Sequence, residues 1–146
     1  MREKVARALR HAKSRSERDW LVLSLIAEYG LKAGEVASLK PSQVKEGSLL
    51  LWGRSIRLRQ AHARRLSSAE GAYIFEGRKG NAITVRQLQN IVKICSQATG
   101  ADLTPNCLRR HFAKRFVERG GSVGELRKLL GHAHLQTTTR LLGPKD

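Results

Sequence analysis

The chain of 146 residues and 16.3 kDa is long enough for one domain with a real core and too short for two ordinary ones. Twenty-eight Lys and Arg against twelve Asp and Glu leave a formal charge of +16, far beyond what solubility needs, so a polyanion is the natural partner and nucleic acid the first choice. The pattern excludes a bilayer span, since no apolar run reaches about eighteen residues, and "MREKVARALRHAK" has no apolar signal core.

From the N-terminus, Val5, Ala8, Leu9 and Ala12 form the apolar stripe of a helix running from Arg2 to about Lys13. "SRSERDWLVLSLIAEYG" predicts a buried helix, capped by Ser14 or Ser16 and stopped by Gly30; the short helix "AGEVASL" follows and halts before Pro41. The period then changes. In "SLLLWGRSIRLRQ", Ile56 and Leu58 alternate with Arg57 and Arg59, which predicts a hairpin around Gly53 with a strongly basic exposed face. "AYIF" is expected to add a third strand or an extended segment.

"TVRQLQNIVKICSQATG" reads as a helix capped by Thr84 and closed by Gly100, with Val85, Leu88, Val92 and Cys95 inward. In "TPNCLRRHFAKRFVERGG", Thr104 caps and Pro105 takes the first helical position. Leu108, Phe112 and Phe116 recur every four residues as a core face, while Asn106 and Arg109, three apart, can turn together toward one ligand. "SVGELRKLLGH" opens on a Ser122/Glu125 capping box and ends at Gly131. The fold class is therefore mainly α with a small antiparallel β hairpin. Cys95 and Cys107 lack C-x-x-C spacing and are expected to be reduced thiols of a cytoplasmic, nucleoid-associated protein.

Three stretches, "YGLKAGEVASLKPSQV", "YIFEGRKGNAITVRQLQNIVK" and "LTPNCLRRHFAKRFVERGGSVGELRKLLGHAHLQTTTRLL", together resemble the catalytic domain of tyrosine recombinases, the phage-integrase family. The last is long and gapless, similar to the family's T-P-H-x-L-R-H-x-F-A, then L-G-H, then T-T-x-x-Y. The resemblance implies the fold of that domain and a chemistry without metal or other cofactor. In that chemistry a tyrosine attacks a DNA phosphodiester while two arginines, a hairpin lysine and two His-type residues stabilise the phosphorane and handle protons.

Carried over by position, Arg109 matches the second arginine, His132 the third-motif histidine and Glu35 the acidic support of the first arginine. Lys32 stands where the first arginine belongs, keeping the charge but losing the planar fork. Asn106 replaces a histidine and carries no proton at neutral pH. The hairpin offers Arg54, Arg57 and Arg59 but no lysine, and Leu141 occupies the position of the nucleophilic tyrosine. The resemblance also implies a single domain, 1–146, without the family's usual N-terminal core-binding domain and C-terminal exchange helix.

Other residues have plainer readings. His132 and His134 alternate and so face apart, with no third ligand nearby, which argues against a metal site. Arg110, Lys114, Arg115 and Arg119, with His111, Arg57 and Arg59, read as a surface for DNA backbone, and Thr137 and Thr138 as phosphate hydrogen-bonding or capping residues.

The expectation is a protein that holds double-stranded DNA around Lys32, Arg54, Arg109 and His132 without cutting it. An active recombinase or a second copy is a further candidate partner, and neither a membrane nor a small-molecule substrate is expected. Two other readings stay open. One is an active or conditionally active recombinase with a displaced nucleophile, Tyr29, Tyr73 or a threonine, although both tyrosines have core-like surroundings. The other is a basic RNA-binding module, against which stands the lack of an aromatic stacking platform, aromatics being 5% of residues.

Overall fold

A computed structural model describes residues 2–144. Helix α1 (Arg2–Arg15) buries Val5, Ala8 and Ala12 against α2 (Glu17–Tyr29). Ser16 caps α2 by accepting the Asp19 N–H at 3.0 Å. Every residue from Leu21 to Ala27 is buried, so α2 is the central helix, enclosed by α1, α5 and α6. It ends at Gly30, whose φ of +73° closes the helix with an N–H bond to Ile26.

After the one-turn α3 (Ala33–Ala37), the strands β1 (Val44–Lys45), β2 (Ser48–Leu51) and β3 (Arg54–Arg57) form an antiparallel sheet in that order. The register sets Leu49 opposite Ile56 and Leu51 opposite Arg54. The expected hairpin is present, but its third strand is Val44–Lys45 and not "AYIF". Nor does that segment run extended: it bends, held by the Ile74 N–H to the Leu39 carbonyl and by the Ile83 N–H to the Phe75 carbonyl, and it sets Phe75 in the core outside the sheet.

Helix α4 (Gln60–Ser67) was not anticipated, because its inward positions are only His62 and Leu66. In α5 (Val85–Gln97), Leu88, Val92 and Cys95 face inward as expected. Val85 does not: as the first residue after the Thr84 cap it points to solvent, 41% exposed. Helices α6 (Pro105–Glu118), α7 (Val123–Leu130) and α8 (Leu135–Leu142) complete the chain.

Two apolar clusters result. The larger surrounds α2; the smaller joins Ala113, Leu126, Leu130 and Leu141, with Phe112 and Phe116 half-buried at its edge. Each fully buried Leu in them contributes about 1.5–3 kcal/mol. Among the described residues no helix is long and apolar enough to cross a membrane.

Candidate functional site

The site is built where α2 stops. Gly30 turns the chain, Leu31 enters the core, and Lys32 emerges exposed at the start of α3. Glu35, three residues on, accepts the Lys32 backbone N–H at 2.8 Å. The same carboxylate takes both ends of the Arg54 guanidinium, at 2.8 and 2.9 Å. Arg54 reaches it because positions 54, 56 and 58 share the inward face of the strand, and its side chain is only 10% exposed. The guanidinium lies across Gly131, where a Cβ would run into it.

From α6, Arg109 donates its Nε–H to the Gly30 carbonyl at 3.0 Å and turns another nitrogen toward His132 Nε2 at 3.4 Å. Since a guanidinium only donates, Nε2 is the acceptor nitrogen, and the imidazole donates Nδ1–H to Thr138 Oγ1 at 2.9 Å. Arg127 donates to the His132 carbonyl at 2.9 Å and so holds the segment between α7 and α8.

Lys32, Arg54, Arg109 and His132 thus converge around one carboxylate. Burial pushes the His132 imidazole below its ordinary range, and the charges of Arg109, Lys32 and Arg54 push it further. Burial and the Arg54 charge also lower Arg109, against the pull of Glu35. Burial works against ionising Glu35, but the Arg54 hydrogen bond, the Lys32 N–H and both cations outweigh it and hold the carboxyl low. Three cations against one carboxylate leave a positive surplus beside a neutral imidazole, which is the electrostatic condition for receiving an anion.

The remaining expected residues divide. Asn106 is exposed one turn before Arg109 on the same helix, and Arg57 is exposed on β3. Arg59 is exposed and reaches Glu28 at 3.5 Å. Arg110 donates to the Leu141 carbonyl at 3.0 Å and ties α6 to the end of α8. His111 and Arg115 line a separate cleft of about 670 Å³ with Arg2, Phe112 and Phe116, and Lys114 lies half-buried nearby.

Thr137 is exposed, but Thr138 is not available to phosphate: the turn of α8 buries it behind the His132 ring, where it holds the imidazole. Leu141 is 8% exposed and belongs to the smaller apolar cluster. The Tyr29 hydroxyl is engaged between the Arg59 N–H at 3.0 Å and His62 Nδ1 at 3.1 Å, while Tyr73 is half-buried with the Lys40 ammonium 5.7 Å from its ring.

Sequence reasoning assigned Glu35 to the position-32 cation; the structure gives its side chain chiefly to Arg54. The signal was present, because Arg54 lies in phase with Ile56 and Leu58. Nothing local marked Thr138 over Thr137 as the one facing His132.

The sequence and the fold both have known relatives. Transposase A from transposon Tn554 of Staphylococcus aureus is 28% identical over 153 residues, covering 84% of this chain and 42% of its own. The crystal structure of XerA recombinase superposes with a TM-score of 0.88 at 22% identity, covering 100% of this chain and 58% of that one. XerH site-specific recombinase, in a post-cleavage complex with its palindromic difH substrate, gives a TM-score of 0.80 at 20% identity over 95% of this chain and 47% of that one. The chain spans about half the length of the curated relatives it matches. The profile of the phage integrase family matches residues 54–142, more than half of the sequence, and takes in β3, Arg109 and His132. With that match and the shared mainly helical fold, the chain belongs to the phage integrase family of tyrosine recombinases.

Proposed function

We propose that this chain is a DNA-binding domain that grips a backbone phosphate as a recombinase does but lacks the means to cut the strand. The observation that carries the reading is the convergence of Lys32, Arg54, Arg109 and His132, with Leu141 turned into the apolar cluster. The Arg109 fork suits two phosphate oxygens, Lys32 adds a mobile point charge, and neutral His132 can gain a proton as an anion arrives. A leucine side chain has no atom able to attack phosphorus. DNA as the polyanion is supported by the +16 charge and by the solved relative captured with its own DNA substrate.

Under this reading the chain competes with, or modulates, an active recombinase at a shared site. The experiment is incubation with a nicked suicide duplex followed by a denaturing gel, beside a binding titration at two salt concentrations. Salt-sensitive duplex binding without a covalent band is expected. A covalent protein–DNA band would overturn the loss of cleavage, and tighter binding of structured RNA at high salt would overturn the choice of DNA.

A further inference from the structure

Trp52 is 99% exposed at the tip of the β2–β3 hairpin. The chain's other tryptophan, Trp20, is half-buried and stacked on His62 with ring centroids 4.8 Å apart. Turn geometry does not ask for an indole at position 52. The Leu51–Arg54 register leaves a two-residue turn in which Gly53, at φ +72°, supplies the left-handed conformation, and position 52 accepts most residues. An aromatic ring held wholly in water forgoes the burial that makes tryptophan useful, so a partner surface is the natural occupant.

The setting selects that partner. Arg54, two residues along and therefore within about 7 Å of backbone, lies inward in the cation cluster beside Gly131. The outward face of the hairpin carries Leu50, 38% exposed, with Ser55 opposite it and Arg57 beyond. An apolar tip on a cationic stalk is complementary to a ligand that carries flat apolar rings beside negative charges. A nucleic-acid strand is such a ligand, its bases following its phosphates at base-step spacing.

We infer that Trp52 is a base-stacking wedge that engages an unpaired or unstacked base next to the phosphate held by the cluster, so that the protein prefers interrupted DNA over continuous duplex. The inference rests on the proposed phosphate grip. Every base offers a π-face, so the contact discriminates by DNA structure and not by sequence. Continuous duplex keeps its bases stacked and offers the indole only a groove edge, whereas a bulge or nick has already lost part of the stacking that a wedge must break.

Fluorescence anisotropy of the full chain on three duplexes of one sequence, continuous, nicked, and carrying a single unpaired 2-aminopurine, tests this. The wild type is expected to bind the bulged duplex about tenfold more tightly than the continuous one and to quench the 2-aminopurine emission. Trp52→Ala should bring that ratio to about one and abolish the quenching while leaving continuous-duplex affinity within about twofold, and Trp52→Phe should fall between. The side chain is exposed, so these changes leave the core intact. A ratio near one in the wild type, or equal weakening of all three duplexes by Trp52→Ala, would overturn the wedge and leave the phosphate grip standing. Failure of the wild type to bind any duplex would overturn both. Conversion of the free chain from dimer to monomer by Trp52→Ala in sedimentation would reassign the indole to a second copy of the chain and overturn the wedge.

Discussion

Two buried histidines show what separates structure from site in this molecule. His62, on α4, is held within the fold: the Tyr29 hydroxyl meets Nδ1, Nε2 meets Ser24 Oγ at 2.9 Å with the Glu28 carboxylate 3.5 Å away, and Trp20 covers the ring. Because the Ser24 hydroxyl donates to the Leu21 carbonyl at 3.3 Å, it accepts from the ring, which therefore carries its hydrogen on Nε2 and takes the Tyr29 proton at Nδ1. His132 has the opposite tautomer, with Nδ1–H spent on Thr138 and Nε2 turned toward a cation. Both rings are buried and both are held neutral. They differ in the charge that faces Nε2: at His62 it is the Glu28 carboxylate, itself paired with Arg59, and at His132 it is the Arg109 guanidinium, so the sign of that charge, and not burial, separates the two.

The largest expected effect lies on the structural side. His62→Ala should cost about 3 kcal/mol of stability, from a cavity under Trp20 and the orphaned Tyr29 and Ser24 hydroxyls, with duplex affinity of the folded protein unchanged. Denaturant titration beside a binding assay reads both. A fall in affinity at full folding would break the contrast between the two histidines.

Next in size is pH. Burial, with Arg59 and Arg65, depresses His62 to about 4 in the folded state, against 6.5 for the free side chain. Below pH about 6.5 the unfolded chain takes up a proton that the folded chain refuses, so this stability is fully present above 6.5 and is lost as pH falls toward about 4. The loss between pH 7 and 5 is about 2 kcal/mol. Glu28, raised by burial, acts in the opposite direction and offsets part of it. Urea midpoints across this range should decline in the wild type and flatten in His62→Gln.

On the site side, Arg109→Gln should weaken duplex binding about tenfold or more at low salt and reduce the salt slope by about one phosphate contact. Unchanged affinity would disconnect the cation cluster from DNA. The smallest effect belongs to Thr138→Val, which keeps shape but strands the His132 Nδ1–H. It should cost about 1 kcal/mol of stability and a few-fold in affinity, the latter growing where His132 must be protonated to hold phosphate. Measuring both losses between pH 5 and 8 separates positioning of the ring from packing.

Much of this contrast was legible beforehand, for local reasons. Ser16, Thr84, Thr104 and Ser122 announced helix starts because a cap is a short-range hydrogen bond between a side chain and the next turn. Arg109 and His132 could be paired through their matched motifs. The His62 enclosure was not legible: α4 presents an imidazole where a pattern reader looks for an aliphatic residue, and its partners lie 33 and 38 positions away. Strand β1 has two residues, too few for a period of two to register. Val85 and Thr138 were misjudged by one helical step each, since hydropathy locates a face more coarsely than a side chain occupies it.

The bond from Arg109 Nε to the Gly30 carbonyl also governs the entropy of recognition. That anchor fixes the guanidinium plane before any ligand arrives, so docking an anion there freezes few additional rotors. Lys32 is exposed on four rotatable methylenes, and immobilising such a side chain on a ligand costs about 0.5–1.5 kcal/mol. Under the proposed phosphate grip the two cations divide the labour by mobility: a rigid fork dictates orientation, and a swinging ammonium collects the anion from a wider volume.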